Sequence, residues 1–580
     1  MNNIIKALKF LNKILNRKDK KNAMLVALAM LINVLSDLLS LALVLPVINL
    51  VLTDDFLQKN DSVKYLYDFF GFWQEKTFII ATCLSLFIIF LIKNLLSLWI
   101  ARFQIKHIQN FVNNNALQLL EIYFRKGLNY IKNNNSNKLI FNIYAGSQRL
   151  GNNVLLSLIN LGNECLIILL ITISIALYDI KIVMLLALLI TPFFLIFYRK
   201  TKHKISALGY SLNKETPKLN EYLFQTFHGY CDTVVSDTFP YQKQRITDKL
   251  NTLKDIQTKS FLYRLCPTKI IETCLILSIS TIVIYGIYFI DSKEQLITLI
   301  GIFFLAAYRT MPSINRIMIA LMSLNENLFL LDTLKDLNQK ASHEEKPSTV
   351  KFTSSLKLEN ISYAFPDKPH DFIFENFDLE IKKGETVGII GSSGSGKTTL
   401  MNILLGFYPL SKGHYLIDEQ DIENFNKNSF YGKVGYVQQN VYLTDSSIAS
   451  NVAYGQNEND FDRDKIKHCL EQAQLTEFHL TQEQGIDSLI GENGVKISGG
   501  QRQRIGIARA LYYDAEILFF DEATSALDSQ TEDEITKAIE SLSKTNLTII
   551  IIAHRISTLK HTDYIIELNN GRIQKTLEQK

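Results

Sequence analysis

The sequence predicts a chain in two parts: an all-α membrane half with six spanning helices, then a soluble α/β half built on a parallel sheet. Three observations carry that expectation. Apolar tracts long enough to cross a bilayer recur up to about residue 335, and lysine and arginine crowd alternate connectors between them. Past residue 350, short apolar strands alternate with helical text around a glycine-rich loop. The expected division is 1–335 for the membrane half, 336–350 for a linker and 351–580 for the soluble half. The linker text ASHEEKPSTV (Ala341–Val350) is polar, charged and broken by Pro347.

Taken in order, the spans fall at about 23–52, 77–103, 154–178, 180–199, 262–290 and 295–324. The first is too long for a cleaved signal, whose apolar region is roughly 7–15 residues. Tyr178–Lys181 joins the third and fourth as a tight hairpin, and Asp291–Glu294 joins the fifth and sixth. Lys6 to Lys21, the connector 104–150 and the connector 200–261 are rich in Lys and Arg, whereas 53–76 leans acidic through Asp54, Asp55, Asp61, Asp68 and Glu75. That asymmetry sets both termini and the two long connectors on the cytoplasmic side. Apolar residues recur at helical intervals in Phe111–Tyr130 and Leu219–Phe227, so the connectors are expected to be helical. DSVKYLYDFFGFW (61–73) spaces Val63, Leu66, Tyr67 and Phe70 as a short amphipathic helix ending near Gly71. With Trp73 it reads as an interfacial anchor or a lipid-contacting element. The six cysteines form no CxxC pair and read as reduced packing residues. A net charge of +4 on 580 residues points to no particular partner, and none made of nucleic acid is expected.

The chemistry lies in the soluble half. ETVGIIGSSGSGKTTL places Gly391, Ser392, Ser393, Gly394, Ser395, Gly396, Lys397, Thr398 and Thr399 between a strand and a helix, the context a P-loop requires. Glycines let backbone N–H groups close on phosphates at a positive helix N-terminus. Lys397 would reach the terminal phosphates of ATP, and Thr398 would hold Mg²⁺. In AEILFFDEATSALD, Asp521 ends a buried strand and suits Mg²⁺, and Glu522 follows where a carboxylate would activate water. LTIIIIAHR delivers His554 at the end of another such strand. Unalternating apolar runs fit a parallel sheet covered on both faces, with ligands at the carboxyl ends.

With ISGGQRQR (Ile497–Arg504) added, 351–580 resembles the nucleotide-binding domain of ABC transporters. The resemblance implies roles by position. Phe365 in SYAFP stands where a tyrosine usually stacks on adenine, and Gln439 in GYVQQN matches the Q-loop glutamine, a ligand of Mg²⁺. Ser498, Gly499, Gly500 and Gln501 match the signature motif, Ser525–Asp528 the D-loop and His554 the switch histidine. Glu522, His554 and Gln439 would be catalytic. The signature serine would meet the phosphate held by a second copy, which implies a homodimer with two competent sites. The implied fold is a multidomain membrane protein, an N-terminal six-helix ABC exporter domain joined to a C-terminal P-loop NTPase. Short coupling helices near 128–138 and 220–230 would link the halves.

RTMPSINRIM, LCPTKIIET and FLIKNLLSL further resemble bacterial lipid-linked oligosaccharide flippases, which turn over a polyprenyl-diphosphate saccharide. This implies an inner-membrane protein with its ATPase half in the cytoplasm. Phosphate-facing cations would be Lys93, Arg309 and Arg316; at the fifth-span position this chain departs, with Thr268 followed by Lys269. The residues argue the same way. Intramembrane cations mark pathways, and Arg309 and Arg316 lie two turns apart on one face, about 10 Å along the axis. Their guanidiniums suit bidentate phosphate contacts. The alternative is that they pair with Asp37, Glu164 or Glu272, and that Lys93 snorkels to an interface. Pro312 is expected to kink the helix, with Ser313 or water satisfying the freed carbonyl. Export of a peptide, another lipid or a hydrophobic small molecule is the second reading. About 22 residues precede the first span, so the exporters with an N-terminal protease domain are not expected. An ATP-gated channel or a non-transporting ATPase is the third.

Overall fold

The computed structural model describes residues 2–43, 61–71, 74–178, 180–289, 293–338, 350–425, 427–522, 529–553 and 555–578. They form two compact units: Met1–Lys126 with Tyr130–Ala341, and Gly127–Asn129 with Ser342–Lys580. Most of the expected linker lies outside the described residues.

The first unit is helical. Its elements are α1 (Asn2–Ile14), α2 (Arg17–Ala42), α3 (Asp61–Phe69), α4 (Glu75–Arg125), α5 (Gly127–Asn133, of which only the last part belongs here), α6 (Leu156–Tyr178), α7 (Ile180–His228), α8 (Tyr230–Val235), α9 (Phe239–Phe289) and α10 (Lys293–Glu326). Three stretches, Lys76–Arg125, Ser136–Ile173 and Thr310–Thr333, are long and apolar enough to span a membrane among the described residues. The 51 residues of α4 and of α9 would each reach about 75 Å at 1.5 Å per residue, more than twice a hydrocarbon core of about 30 Å. The connectors are thus continuations of the spans, as the helical spacing suggested. Helix α7 runs to His228, and a turn at Gly229 leads into α8, so 220–230 covers the end of α7 and that turn. In the segment 61–73, α3 ends before Gly71, whose φ of 67° favours glycine; Trp73 lies outside the described residues.

Helix α1 buries Ala7, Phe10, Leu11 and Ile14, spaced i, i+3, i+4, i+7, in one core with Ile108, Phe111 and Leu119 of α4 and Leu324 of α10. Between α5 and α6, two π-helical turns, Asn142–Gly146 and Leu150–Leu155, flank a single α turn. The end of α10 is a polar node. Asn325 accepts from Asn3 Nδ2 of α1 at 2.7 Å and donates to Tyr198 Oη of α7 at 3.4 Å. Glu326 accepts from Ser260 Oγ at 2.8 Å and pairs with Arg264, both on α9. Gly209 of α7 lies so close that a Cβ there would sit 1.7 Å from the Glu326 carbonyl oxygen. Pro312 lies within α10, but Ser313 Oγ has no hydrogen-bond partner, so the expected serine bridge to the freed carbonyl is not made. None of the six cysteines forms a disulfide; Cys274 and Cys469 are buried, while Cys83, Cys165 and Cys231 are exposed.

The second unit holds two sheets. Strands β1 (Ser355–Ala364), β2 (Phe372–Lys382), β4 (Lys412–Ile417) and β5 (Gln420–Asp421) form an antiparallel sheet in the order β2-β1-β4-β5. Strands β3 (Thr386–Gly391), β6 (Val434–Val437), β7 (Ile517–Asp521), β8 (Thr548–Ile552), β9 (Tyr564–Asn569) and β10 (Arg572–Glu578) form the other, ordered β10-β9-β3-β8-β7-β6. It is parallel except for β10. Along β7, Leu518 and Phe520 enter one core while Ile517 and Phe519 enter the other, which is why the strand reads as an unbroken apolar run. Helices α11 (Lys397–Leu404), α12 (Gly499–Tyr512) and α13 (Ser529–Ser543) accompany the sheet. Gly127–Asn129 of α5 belong to this unit: Leu128 packs on its core, and Asn129 Nδ2 donates to Tyr363 Oη at 3.3 Å.

Asp418 ties the start of β1 to the end of β4. Its carboxylate accepts from the backbone and hydroxyl of Thr353 (2.5 and 2.7 Å) and of Ser354 (2.7 and 2.9 Å), and from Ser355 N at 3.1 Å. Partial burial alone would raise its pKa; those donors outweigh it and hold it down at about 2. A depressed folded pKa contributes stability above the unfolded value of about 3.9 and loses it as pH falls toward the folded one. Thermal unfolding of the wild type is therefore expected to fall off between about pH 4 and pH 2, and Asp418→Asn to flatten that fall. Equal acid slopes in the two proteins would refute it.

Candidate functional site

Strand β3 ends at Gly391, and the next turn folds into a loop that feeds α11. Gly391, Gly394 and Gly396 have φ of 155°, 82° and 104°. At Gly391 a Cβ would lie 2.3 Å from the Leu568 carbonyl oxygen, so both conformation and space demand glycine there. Lys397 is buried, and its Nζ donates to the carbonyls of Gly391 (2.8 Å) and Ser392 (2.9 Å). An ammonium has three donors, so this tether keeps the charge on the loop with one N–H to spare. Ser395 Oγ is buried without a partner.

One cavity of about 330 Å³ is lined by Phe365, Ile373, Ser393, Gly394, Gly396, Lys397, Thr398, Thr399 and Glu522. Phe365 is backed edge-on by Tyr363 and Tyr408 (centroids 5.5 and 5.9 Å), which stack on each other at 5.4 Å and fix its ring. Strand β7 reaches the cavity one strand beyond β8: Asp521 pairs with Ile552 of β8, which also pairs with Ile389 of β3. Glu522 then turns through φ 49°, with its N–H donating to the Ile552 carbonyl at 3.0 Å. That backbone is uncommon for a non-glycine residue and is characteristic of functional positions. Gln439 Nε2 donates to Glu522 Oε2 at 3.0 Å, joining two of the three catalytic candidates across 83 positions. Tyr436 Oη donates to Asp521 Oδ2 at 3.2 Å. Burial first, then the Asp521 carboxylate, pushes the Tyr436 hydroxyl well above its usual pKa, keeping it a donor.

Ser498 caps α12. Its Oγ accepts from Gln501 N at 3.2 Å, and Gln501 Oε1 accepts from Ser498 N at 2.9 Å, a capping box. The cap uses a serine lone pair and leaves its O–H able to donate outward. Gly500 lies under α13, where a Cβ would meet Thr531 Cγ2 at 1.8 Å. Ser498, Gly499, Gly500 and Gln501 do not line the cavity, whereas the P-loop, Phe365 and Glu522 do. His554 and Asp528 lie outside the described residues. Ile373 and Tyr436 were missed from sequence. Ile373 carries no chemical signal; Tyr436 could have been found, since alternation along β6 sets it opposite Phe519, two residues before Asp521.

In the membrane half, each predicted cation whose side chain is described has a carboxylate partner. Lys93 Nζ lies 2.6 Å from Asp37 and Arg316 Nε 2.7 Å from Glu164. Lys269 pairs with Glu272 at 3.0 Å, one turn along its own helix. For Arg316 this is the carboxylate pairing that the sequence left open as the alternative: a lone charge at membrane depth is costly, and these charges are neutralised pairwise. Thr268 Oγ1 donates to Asn315 Oδ1 at 3.0 Å. The Arg309 side chain lies outside the described residues.

Residues 374–525 match the family model described as ABC transporter. The chain is 42% identical over 218 residues to an ATP-dependent lipid A-core flippase of Pectobacterium atrosepticum, covering 38% of this chain and 37% of the relative. It is 36% identical over 298 residues to one of Photorhabdus laumondii, covering 50% of each. It therefore spans half or less of the length of these curated relatives. A solved structure, that of a bacterial Atm1-family ABC exporter with ATP bound, superposes with a TM-score of 0.79 at 20% identity over 97% of this chain and 96% of that one. Motif order, sheet topology and helical architecture agree with these matches: residues 374–525 form an ABC transporter domain, and the chain has the fold of an ABC exporter.

Proposed function

We propose that this chain is one half of a homodimeric, ATP-driven flippase of the bacterial inner membrane, moving an amphiphile with an anionic headgroup. A polyprenyl-diphosphate saccharide is the favoured cargo. The cavity that gathers the P-loop, Phe365 and Glu522 carries the ATPase part of this reading. Loop N–H groups and Lys397 would hold the phosphates at the start of α11. Thr398, Gln439 and Asp521 offer hydroxyl, amide and carboxylate oxygens, the hard donors Mg²⁺ prefers beside phosphate oxygens; when bound, Mg²⁺ would offset phosphate charge. With Gln439 Nε2 on Glu522, the oxygen end of that amide is the end suited to a cation. Glu522 would take the proton of the attacking water. The exposed Ser498 hydroxyl at the N-terminus of α12 suits a phosphate held by a second copy, which supports the homodimer.

The flippase part is supported by the relatives named lipid A-core flippases. Export of another amphiphile keeps a place, because the paired carboxylates of Asp37 and Glu164 reduce the net positive charge a headgroup would meet. The test is ATPase stimulation in proteoliposomes by polyprenyl-diphosphate saccharide, set against peptides and neutral drugs. Stimulation by the diphosphate lipid, lost in Arg309→Ala with Arg316→Ala, is the expected result. Stimulation by neutral amphiphiles alone would replace the flippase reading with the exporter one.

A further inference from the structure

We propose that Glu164 is a positioning residue that presents Arg316 to a phosphate on the transported amphiphile; this rests on the flippase reading above. Arg316 is on α10 and Glu164 on α6, two helices packed along one another. The contact between them is lopsided. The Glu164 side chain is 5% exposed and that of Arg316 52% exposed. The carboxylate is the buried anchor and the guanidinium the outward end.

The atoms used sharpen this. Glu164 Oε1 lies on Nε, the inner donor of the guanidinium, at 2.7 Å. Both Nη groups, the outer edge that matches a phosphate bidentately, face away from that bond. A brace built only to hold two helices would gain most by closing the fork on both carboxylate oxygens. Instead Glu164 Oε2 is buried with no hydrogen-bond partner. The close ion-pair contact at Nε restrains a side chain that otherwise explores many rotamers, so less freedom is lost when a phosphate docks. The pair is also near neutral without cargo, which makes an arginine tolerable at this depth. One turn earlier on α10, Ser313 Oγ is fully buried and lacks a partner, a hydroxyl on the same face as Arg316.

The experiment uses the full chain in liposomes, reading ATP hydrolysis against polyprenyl diphosphate, chain-matched polyprenol and soluble pyrophosphate. Glu164→Ala is expected to raise the half-saturating concentration of polyprenyl diphosphate about tenfold, the loss of one charge-assisted contact, with a smaller fall in maximal rate. Glu164→Gln, which keeps an oxygen acceptor for Nε–H, is expected to recover most of that loss. Polyprenol curves should coincide for all three proteins. Equal impairment of both variants toward both lipids would make Glu164 a structural brace and overturn the proposal, as would an unchanged half-saturation in Glu164→Ala. Stimulation by pyrophosphate alone would overturn the lipid assignment. A wild type that hydrolyses ATP yet ignores the diphosphate lipid would overturn both this inference and the cargo reading, whereas the Glu164 outcomes overturn only the former.

Discussion

Replacing Glu522 with glutamine is expected to lower steady-state ATP hydrolysis by about a thousandfold, within the range general-base catalysis supplies, while ATP still binds. The geometry makes this substitution clean. Gln439 Nε2 donates to Glu522 Oε2 at 3.0 Å, and a glutamine oxygen accepts the same bond, so the side chain keeps its place in the cavity and loses only its basicity. The left-handed φ of 49° is inherited unchanged, so backbone strain does not differ between the two proteins. Phosphate release measured beside retention of labelled ATP separates the two effects. Steady hydrolysis at more than a tenth of the wild-type rate would remove Glu522 from the role of base. Loss of ATP binding would show instead that its carboxylate holds the nucleotide site together.

The second large effect is on stability. Glu326→Ala is expected to destabilise the helical unit by about 3 kcal/mol, the low end for breaking a buried ion pair because Arg264 is partly open to solvent. The glutamate also accepts from Ser260, and Arg264 Nε is already buried without a partner, so the truncation strands donors on α9. Glu326→Gln should cost less, since Ser260 keeps its acceptor. Gly209→Ala should cost more than the alanine at 326, because its Cβ would overlap a backbone oxygen that cannot rotate away. Glu121→Ala is the control: that exposed residue meets Arg125 at 3.5 Å and is expected to contribute under about 0.5 kcal/mol. Thermal unfolding of the detergent-solubilised chain checks all four, and a Glu326→Ala midpoint equal to that of the control would contradict the buried-pair account.

What could be read from sequence follows distance along the chain. Residues 391–399 carry their chemistry within one turn and one helix start, so the loop was legible at once. The contact of Gln439 with Glu522, and those of Arg316 with Glu164 and Lys93 with Asp37, join residues brought together only by sheet order or helix packing. Composition named those acids as possible partners without choosing among them. Glu272 illustrates the gap: it was a candidate for an arginine, yet Lys269 lies one turn away on the same helix and reaches it first. The break after α7 is legible, because Gly229 marks it in the text itself. The π-helical turns have no sequence signature, because the extra residue in each is accommodated by packing, as at Gly151, where a Cβ would meet Val112 at 2.2 Å.

Those two wide turns have a mechanical meaning. Each residue of an α-helix advances the face by about 100°, so a single surplus residue, taken up or released, re-aims everything beyond it by roughly that angle. Asn142–Gly146 and Leu150–Leu155 hold such slack on the path from the connector into α6. Loss of one such residue would turn the segment about its own long axis by that angle and change which side chains face its neighbours. Shortening 150–155 by one residue would lock the shaft in ordinary α winding and swing Leu139 and Phe141 away from their neighbours.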